Sequence, residues 1–192
     1  METALFSAYN KTAVLAAFAA QLKTRGWTIL ASAGTVKFLA EHGVDATDVA
    51  TIVGAPILDH RVVTLSREIH AGLLARPEDA AELERLHIHR IDLVYVDLYP
   101  LEEEIARSGA TESSVIEKTD IGGPTLLRAA AKGRRIVLSE SSQFAATLSY
   151  IDSKTTDSRY LAGLAAAAEQ LVSKYAAASA AFNARVASGE IS

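Results

Sequence analysis

Residues 4–43 read ALFSAYNKTAVLAAFAAQLKTRGWTILASAGTVKFLAEHG. Ala4-Leu5-Phe6-Ser7-Ala8 is a short apolar run with the length of a buried strand. Val14, Leu15, Phe18 and Leu22 then recur at helical spacing between Ala13 and Arg25, and Gly26 stops the helix. Trp27-Thr28-Ile29-Leu30-Ala31 is apolar and β-rich, a second strand. Ser32-Ala33-Gly34-Thr35 reads as a turn, and Val36 to His42 as a helix ended by Gly43. Strand, helix, strand, helix in this order predicts an α/β fold, with helices packed on the faces of a parallel sheet.

The rest of the chain extends the pattern. Ile91 to Leu98 holds the strongest strand, with Leu93-Val94-Tyr95-Val96 suited to a sheet centre. Ile136-Val137-Leu138 is a further strand. Helices are expected from Pro77 to Leu86, Pro100 to Arg107, Ser113 to Glu117, Pro124 to Lys132, and Ser141, as its cap, to Tyr150. Thr51 to Arg76 lacks a helical period and reads as a long functional loop with short strands, such as Arg61 to Leu65. Residues 158–188 are Ala-rich, one long helix or two, with Leu161, Leu164, Leu171, Tyr175 and Phe182 facing inward. No repeat or linker divides the chain, so 1–192 is expected to be one domain.

Composition narrows the chemistry. The chain has 192 residues, 49% of them hydrophobic, a net charge of −4 and no cysteine. Thiolate metal sites, disulfide scaffolds and cysteine nucleophiles are excluded. The lack of a Lys/Arg cluster argues against a nucleic-acid partner. No signal-peptide pattern or apolar stretch of roughly 20 residues occurs, so a soluble cytoplasmic protein without a membrane partner is expected. The histidines lack metal-ligand spacing, so no metal is expected. Neither a Walker A sequence nor G-x-G-x-x-G is present, which argues against ATP and NAD as cofactors. Glu102-Glu103-Glu104 reads as a solvated helix face.

Some loops could carry chemistry. Asn10, Lys11 and Thr12 lie between the first strand and first helix, where amide groups and the helix dipole favour an anion. The plain alternative is an ordinary N-cap with a solvated lysine. Ser32, Gly34 and Thr35 occupy the next strand-to-helix junction, and two such loops side by side could cradle one phosphate. Thr119-Asp120-Ile121-Gly122-Gly123-Pro124-Thr125 combines an acid, two glycines and a helix-starting proline. It forms either an amide-lined mouth for an anion or oxyanion, or a simple capped helix start. Lys132 falls about 12 Å along that helix, so it shares a substrate with Asp120 only if the substrate spans the gap or subunits share sites. Arg61 with Thr64, and Asp97 with Tyr99, lie beside expected strands, with packing and N-cap alternatives for the latter pair.

Taken in order, these segments resemble a known family. Asp120-Ile121-Gly122-Gly123-Pro124-Thr125-Leu126-Leu127-Arg128-Ala129-Ala130-Ala131-Lys132 is its most specific signature here. It is supported by Leu98-Tyr99-Pro100, Arg61-Val62-x-Thr64-Leu65 with His70 and Gly72, and Ser32-x-Gly34-Thr35. The chain resembles the IMP cyclohydrolase domain of the bifunctional purine biosynthesis enzyme over nearly its whole length, without that enzyme's transformylase half. The resemblance implies a methylglyoxal-synthase-like fold, an α/β three-layer sandwich with a mainly parallel central sheet. It implies closure of FAICAR to IMP with no cofactor, a purine ribonucleotide as ligand, a homodimer, and room for a separate transformylase partner.

Carried over by position, Lys11, Ser32, Gly34, Thr35, Arg61 and Thr64 hold the phosphate and ribose, with Asn10 and Thr12 in the same loop. Val96, Asp97, Asp120 and Ile121, with Gly122 beside them, face the base. Tyr99, Asp120 and Lys132 carry the chemistry, Lys132 as the proton-transfer lysine. Several positions depart from the family. Its Arg-Val-Lys-Thr-Leu-His-Pro is here Arg61-Val62-Val63-Thr64-Leu65-Ser66-Arg67, so Val63 replaces a binding lysine. Its Asn-Leu-Tyr-Pro is Asp97-Leu98-Tyr99-Pro100, and its Ser-x-Ser-Asp-Lys-Thr is Ser7-Ala8-Tyr9-Asn10-Lys11-Thr12. The alternatives are therefore a divergent paralogue cyclising a related ribonucleotide in secondary metabolism, or a non-catalytic nucleotide binder.

Overall fold

The first strand and the strongest strand of the sequence lie side by side. β1 (Thr3–Ala8) pairs in parallel with β4 (Leu93–Asp97), setting Leu5 against Val94 and Phe6 against Tyr95. The computed structural model describes residues 2–58 and 61–191. Positions 1, 59–60 and 192 of the expected domain, with part of the expected Thr51–Arg76 loop, lie outside the described residues. β2 (Thr28–Ala31), β3 (Thr47–Asp48) and β5 (Ile136–Leu138) complete one sheet of order β3-β2-β1-β4-β5. Each neighbouring pair is parallel.

Alternation along the strands builds two cores. Phe6 and Tyr95 point to one face, where they meet Phe18 of α1 (Ala13–Thr24) and Phe144 of α9 (Phe144–Ser153). Phe18 and Phe144 stack with centroids 4.1 Å apart. α2 (Ala33–Glu41) packs beside α1. On the other face α8 (Gly122–Lys132) covers β4 and β5, and the 30-residue α10 (Ser158–Ala187) lies across α8 and β5. Leu126 and Leu127 of α8 are fully buried, each worth about 1.5–3 kcal/mol of burial. The result is the expected layered α/β fold, with a sheet parallel throughout. No helix among the described residues is long and apolar enough to cross a membrane.

Several local expectations are corrected. Ser32-Ala33-Gly34-Thr35 is not a turn: Ser32 is the N-cap position of α2, and its carbonyl accepts from the Thr35 and Val36 amides. The middle segment is more helical than its pattern suggests. It contains α3 (Ala50–Val53) and α4 (Arg67–Leu74), and Ser66 caps α4 through the Ile69 amide. Residues 61–65 form no strand; only an isolated Ile57–Val62 bridge is present among the described residues there. α5 (Ala80–Arg85), α6 (Leu101–Ala106) and α7 (Glu112–Lys118) fall near their expected places. Ser141 begins a 3₁₀ turn ahead of α9 instead of capping it. Glu104 does not belong to a solvated face. It is 8% exposed, pairs with Arg107 at 2.7 Å and accepts from the Ser114 hydroxyl at 2.8 Å.

Candidate active site

The chain order places β1 and β4 side by side while their following segments leave in opposite directions, a topological switch point at the carboxyl edge of the sheet. A cleft of about 650 Å³ opens at this edge, on the α8 side. Ser7, at the end of β1, shares the strand face of Leu5 and lines it. Ser32 at the start of α2, Arg61, Val63 and Thr64 form one wall. Ile116 and Glu117 of α7 and the Thr119–Gly123 segment form the other.

Asp120 organises the mouth of α8. Its Oδ1 accepts from the Gly123 amide at 2.9 Å, so the capped-helix reading holds while the same carboxyl lines the cleft. Burial pushes the Asp120 carboxyl above its ordinary value, and the Gly123 and Gly122 amides oppose that rise. The two glycines make the approach feasible. A Cβ on Gly123 would sit 2.6 Å from Leu98 Cδ2 and 3.1 Å from Val96 Cγ1, and would also collide with Asp120. A Cβ on Gly122 would sit 3.1 Å from Thr64 Oγ1, which shows how closely the two walls meet.

The β1 and β2 loops meet at the rim. Lys11 Nζ donates to the Ala8 carbonyl at 3.0 Å and the Tyr9 carbonyl at 3.3 Å. Its Cε lies 3.5 Å from where a Gly34 Cβ would stand. Thr35 is buried, and its Oγ1 lies 3.1 Å from Ser32 Oγ and accepts from the Ala8 amide at 3.4 Å. No side chain caps α2, and the start of a helix is a standard setting for an anion. Thr12 behaves as a plain N-cap, accepting from the Leu15 amide. Arg61 pairs with Glu117 at 3.6 Å on the cleft wall.

Other expected site residues are placed elsewhere. Asp97 accepts from the Asn10 amide and, with Tyr99, lines a separate cavity of about 250 Å³ beneath α10. Val96 is 1% exposed and lies under Gly123, shaping the floor without presenting a surface. Tyr99 meets Tyr9 edge-on at 4.7 Å, and Lys118 Nζ stands 5.0 Å from its ring centroid. Lys132 is exposed at the last position of α8, about 15 Å along the helix axis from its first residue, so one subunit does not bring it to Asp120. Sequence reasoning missed Tyr175 as a site residue: its hydroxyl accepts from the Asp120 amide at 2.7 Å.

The family model described as MGS-like domain matches residues 14–125. The chain belongs to the MGS-like domain family. This MGS-like domain is 46% identical over 147 residues to the "Bifunctional purine biosynthesis protein PurH" of Thermosynechococcus vestitus, covering 73% of this chain and 28% of that protein. It is 44% identical over 138 residues to the protein of the same name from Caldicellulosiruptor saccharolyticus, covering 70% of this chain and 27% of that one. The MGS-like domain thus matches between a quarter and a third of the length of these relatives. A solved crystal structure described as that of ForH superposes with a TM-score of 0.79 at 29% identity, covering 94% of this chain and 97% of that one. The resemblance drawn from the Asp120–Lys132 motif and its companions is borne out by these relatives. α10 lies beyond the residues that the MGS-like model matches.

Proposed function

We propose that the chain is an IMP cyclohydrolase acting on FAICAR. The observation that carries this is the cleft itself. It sets Ser32, Arg61 and Thr64, suited to a phosphate and ribose, opposite Asp120, Ile121 and Gly122, suited to the edge of a base. Its volume lies in the usual range for small-molecule sites. The similarity to PurH proteins supports the same assignment.

In the reaction the carboxamide nitrogen attacks the adjacent formyl carbon and a C–N bond forms. The formyl oxygen leaves as water, carrying one proton from the carboxamide nitrogen and one from the formamido nitrogen. Nothing is oxidised or reduced. Both reacting groups belong to one molecule, so holding them in contact supplies much of the rate. Asp120 would orient the carboxamide and take part in proton transfer, and its raised carboxyl suits a group that both accepts and returns a proton. Tyr99, expected to assist at the formyl oxygen, lines the separate cavity beneath α10 and takes no part in these steps. Lys132 would reach the cleft of a second copy, because its own Asp120 lies at the opposite end of α8. A homodimer with shared sites follows from this proposal.

Val63 favours a second reading. An isopropyl group on the cleft wall offers no charge and no donors where the resembling family has a lysine. A nucleotide binder without turnover would tolerate this. Incubating the purified protein with FAICAR and following IMP absorbance decides between the two. Turnover supports the cyclohydrolase; IMP binding without ring closure at high enzyme concentration supports the binder.

A further inference from the structure

The C-terminal helix reaches the segment that carries Asp120. Tyr175 of α10 is half-buried, and its ring lines both the cavity under α10 and the groove between α10 and the start of α8. Its hydroxyl accepts from the Asp120 amide at 2.7 Å and makes a long contact, 3.5 Å, to the Lys118 carbonyl. One oxygen thus bridges the end of α7 and the start of α8, spanning the connection on which Asp120 rides. The side chain of Asp120 is meanwhile fixed by the Gly123 amide. Backbone and carboxylate are therefore each held by a hydrogen bond, and only the backbone contact comes from outside the segment itself.

We infer that Tyr175 is a positioning residue that holds Asp120 in the geometry required by the cleft. The inference rests on the cyclohydrolase proposal for its kinetic consequence but not for its structural one. A partly buried amide left without its acceptor is costly, so loss of the hydroxyl drives the Asp120 segment toward water. Positional shifts of about 1 Å at a reacting group cost up to roughly 100-fold in rate. Burial also raises the Tyr175 hydroxyl, with the nearby Asp120 charge adding to the rise, so it stays protonated as a neutral acceptor at ordinary pH.

The test compares the intact chain with Tyr175→Phe, which keeps the ring and removes the hydroxyl. Two readouts are taken. In ring closure of FAICAR, kcat should fall by about 10-fold or more while KM changes little. Adding Tyr175→Phe to Asp120→Asn should cost nothing further, because the two act as one unit. Independently, carbon-detected NMR titration should find the Asp120 carboxyl raised in the wild type and lower in Tyr175→Phe, as the segment gains water. Wild-type inactivity would count against the cyclohydrolase proposal and leave the titration to judge Tyr175. An Asp120 titration unchanged by the substitution, or additive losses in the double variant, would overturn the positioning role. A Tyr175→Phe chain that melts as wild type but shows both shifts would establish it.

Discussion

The Asn10 amide donates to the Asp97 carboxylate at 2.5 Å, joining the loop after β1 to the end of β4. A second link runs from the Tyr9 amide to the Asp97 carbonyl at 3.2 Å. Asp97 is thus engaged in holding the switch point together. Its carboxylate should not select between bases: IMP and an amino-bearing purine analogue should produce thermal shifts that change little relative to each other on Asp97→Asn. Asp97→Ala should cost about 1 kcal/mol through loss of the charged acceptor, read as a lower midpoint in denaturant. A reversal of nucleotide preference in Asp97→Asn would show that the side chain faces the ligand.

Two glycines of the site should respond in opposite ways. Gly123→Ala forces a methyl against Leu98, Val96 and Asp120, and should destabilise by about 1–3 kcal/mol. Gly34→Ala meets only Lys11 at ordinary contact distance inside a helix, and should stabilise by up to ~1 kcal/mol. The same methyl crowds the uncapped start of α2, so phosphate-bearing ligands should bind more weakly to it. Chemical denaturation and calorimetry on the two variants check both signs.

Acid should reveal the Glu104 cluster. The Arg107 guanidinium, with the Ser114 hydroxyl assisting, holds the Glu104 carboxyl down to about 2, from an ordinary 4.5. A carboxyl lowered on folding contributes stability that is complete above the ordinary value and is lost as pH falls toward the folded one. The melting temperature should therefore drop between pH 4.5 and about 2, and Glu104→Gln should flatten that part of the curve. An unchanged slope in Glu104→Gln would assign the acid sensitivity to other groups.

Shared sites can be read by mixing variants. Asp120→Asn and Lys132→Ala should each lower ring closure by about 10²–10⁴-fold. Chains of the two variants, unfolded and refolded together, should recover activity that neither shows alone, because half of each mixed dimer's sites are intact. No recovery, with dimers present by light scattering, would contradict shared sites.

The fold was legible where segments carry their own pattern. β1 and β4 are continuous apolar runs, and α1 joins a regular apolar stripe to a Thr12 cap. α4 was not legible because its support is remote. It has few apolar anchors, and its last carbonyls are taken by the Arg135 guanidinium, with Nε 2.7 Å from the Leu73 oxygen, 62 residues away. β3 is two residues long, too short to show alternation. In the site, the Asp120 mouth was readable from its acid, glycines and proline. Tyr175 was readable as an inward residue of α10, but the partner of its hydroxyl lies 55 residues earlier and only the tertiary fold brings it close. Glu104 looked like one of three solvated acids: the Arg107 pair at i+3 does not by itself signal burial, and the Ser114 partner depends on how α6 meets α7.

The most direct measurement is a crystal structure of the chain with IMP bound. The phosphate should lie at the start of α2 against Ser32 and Gly34, within reach of Arg61 and Thr64, with the base edge against Asp120 to Gly122 and Val63 beside the ring. IMP lodged instead in the opposite-edge cavity lined by Trp27, Tyr150 and Lys154 would contradict the assignment of the cleft.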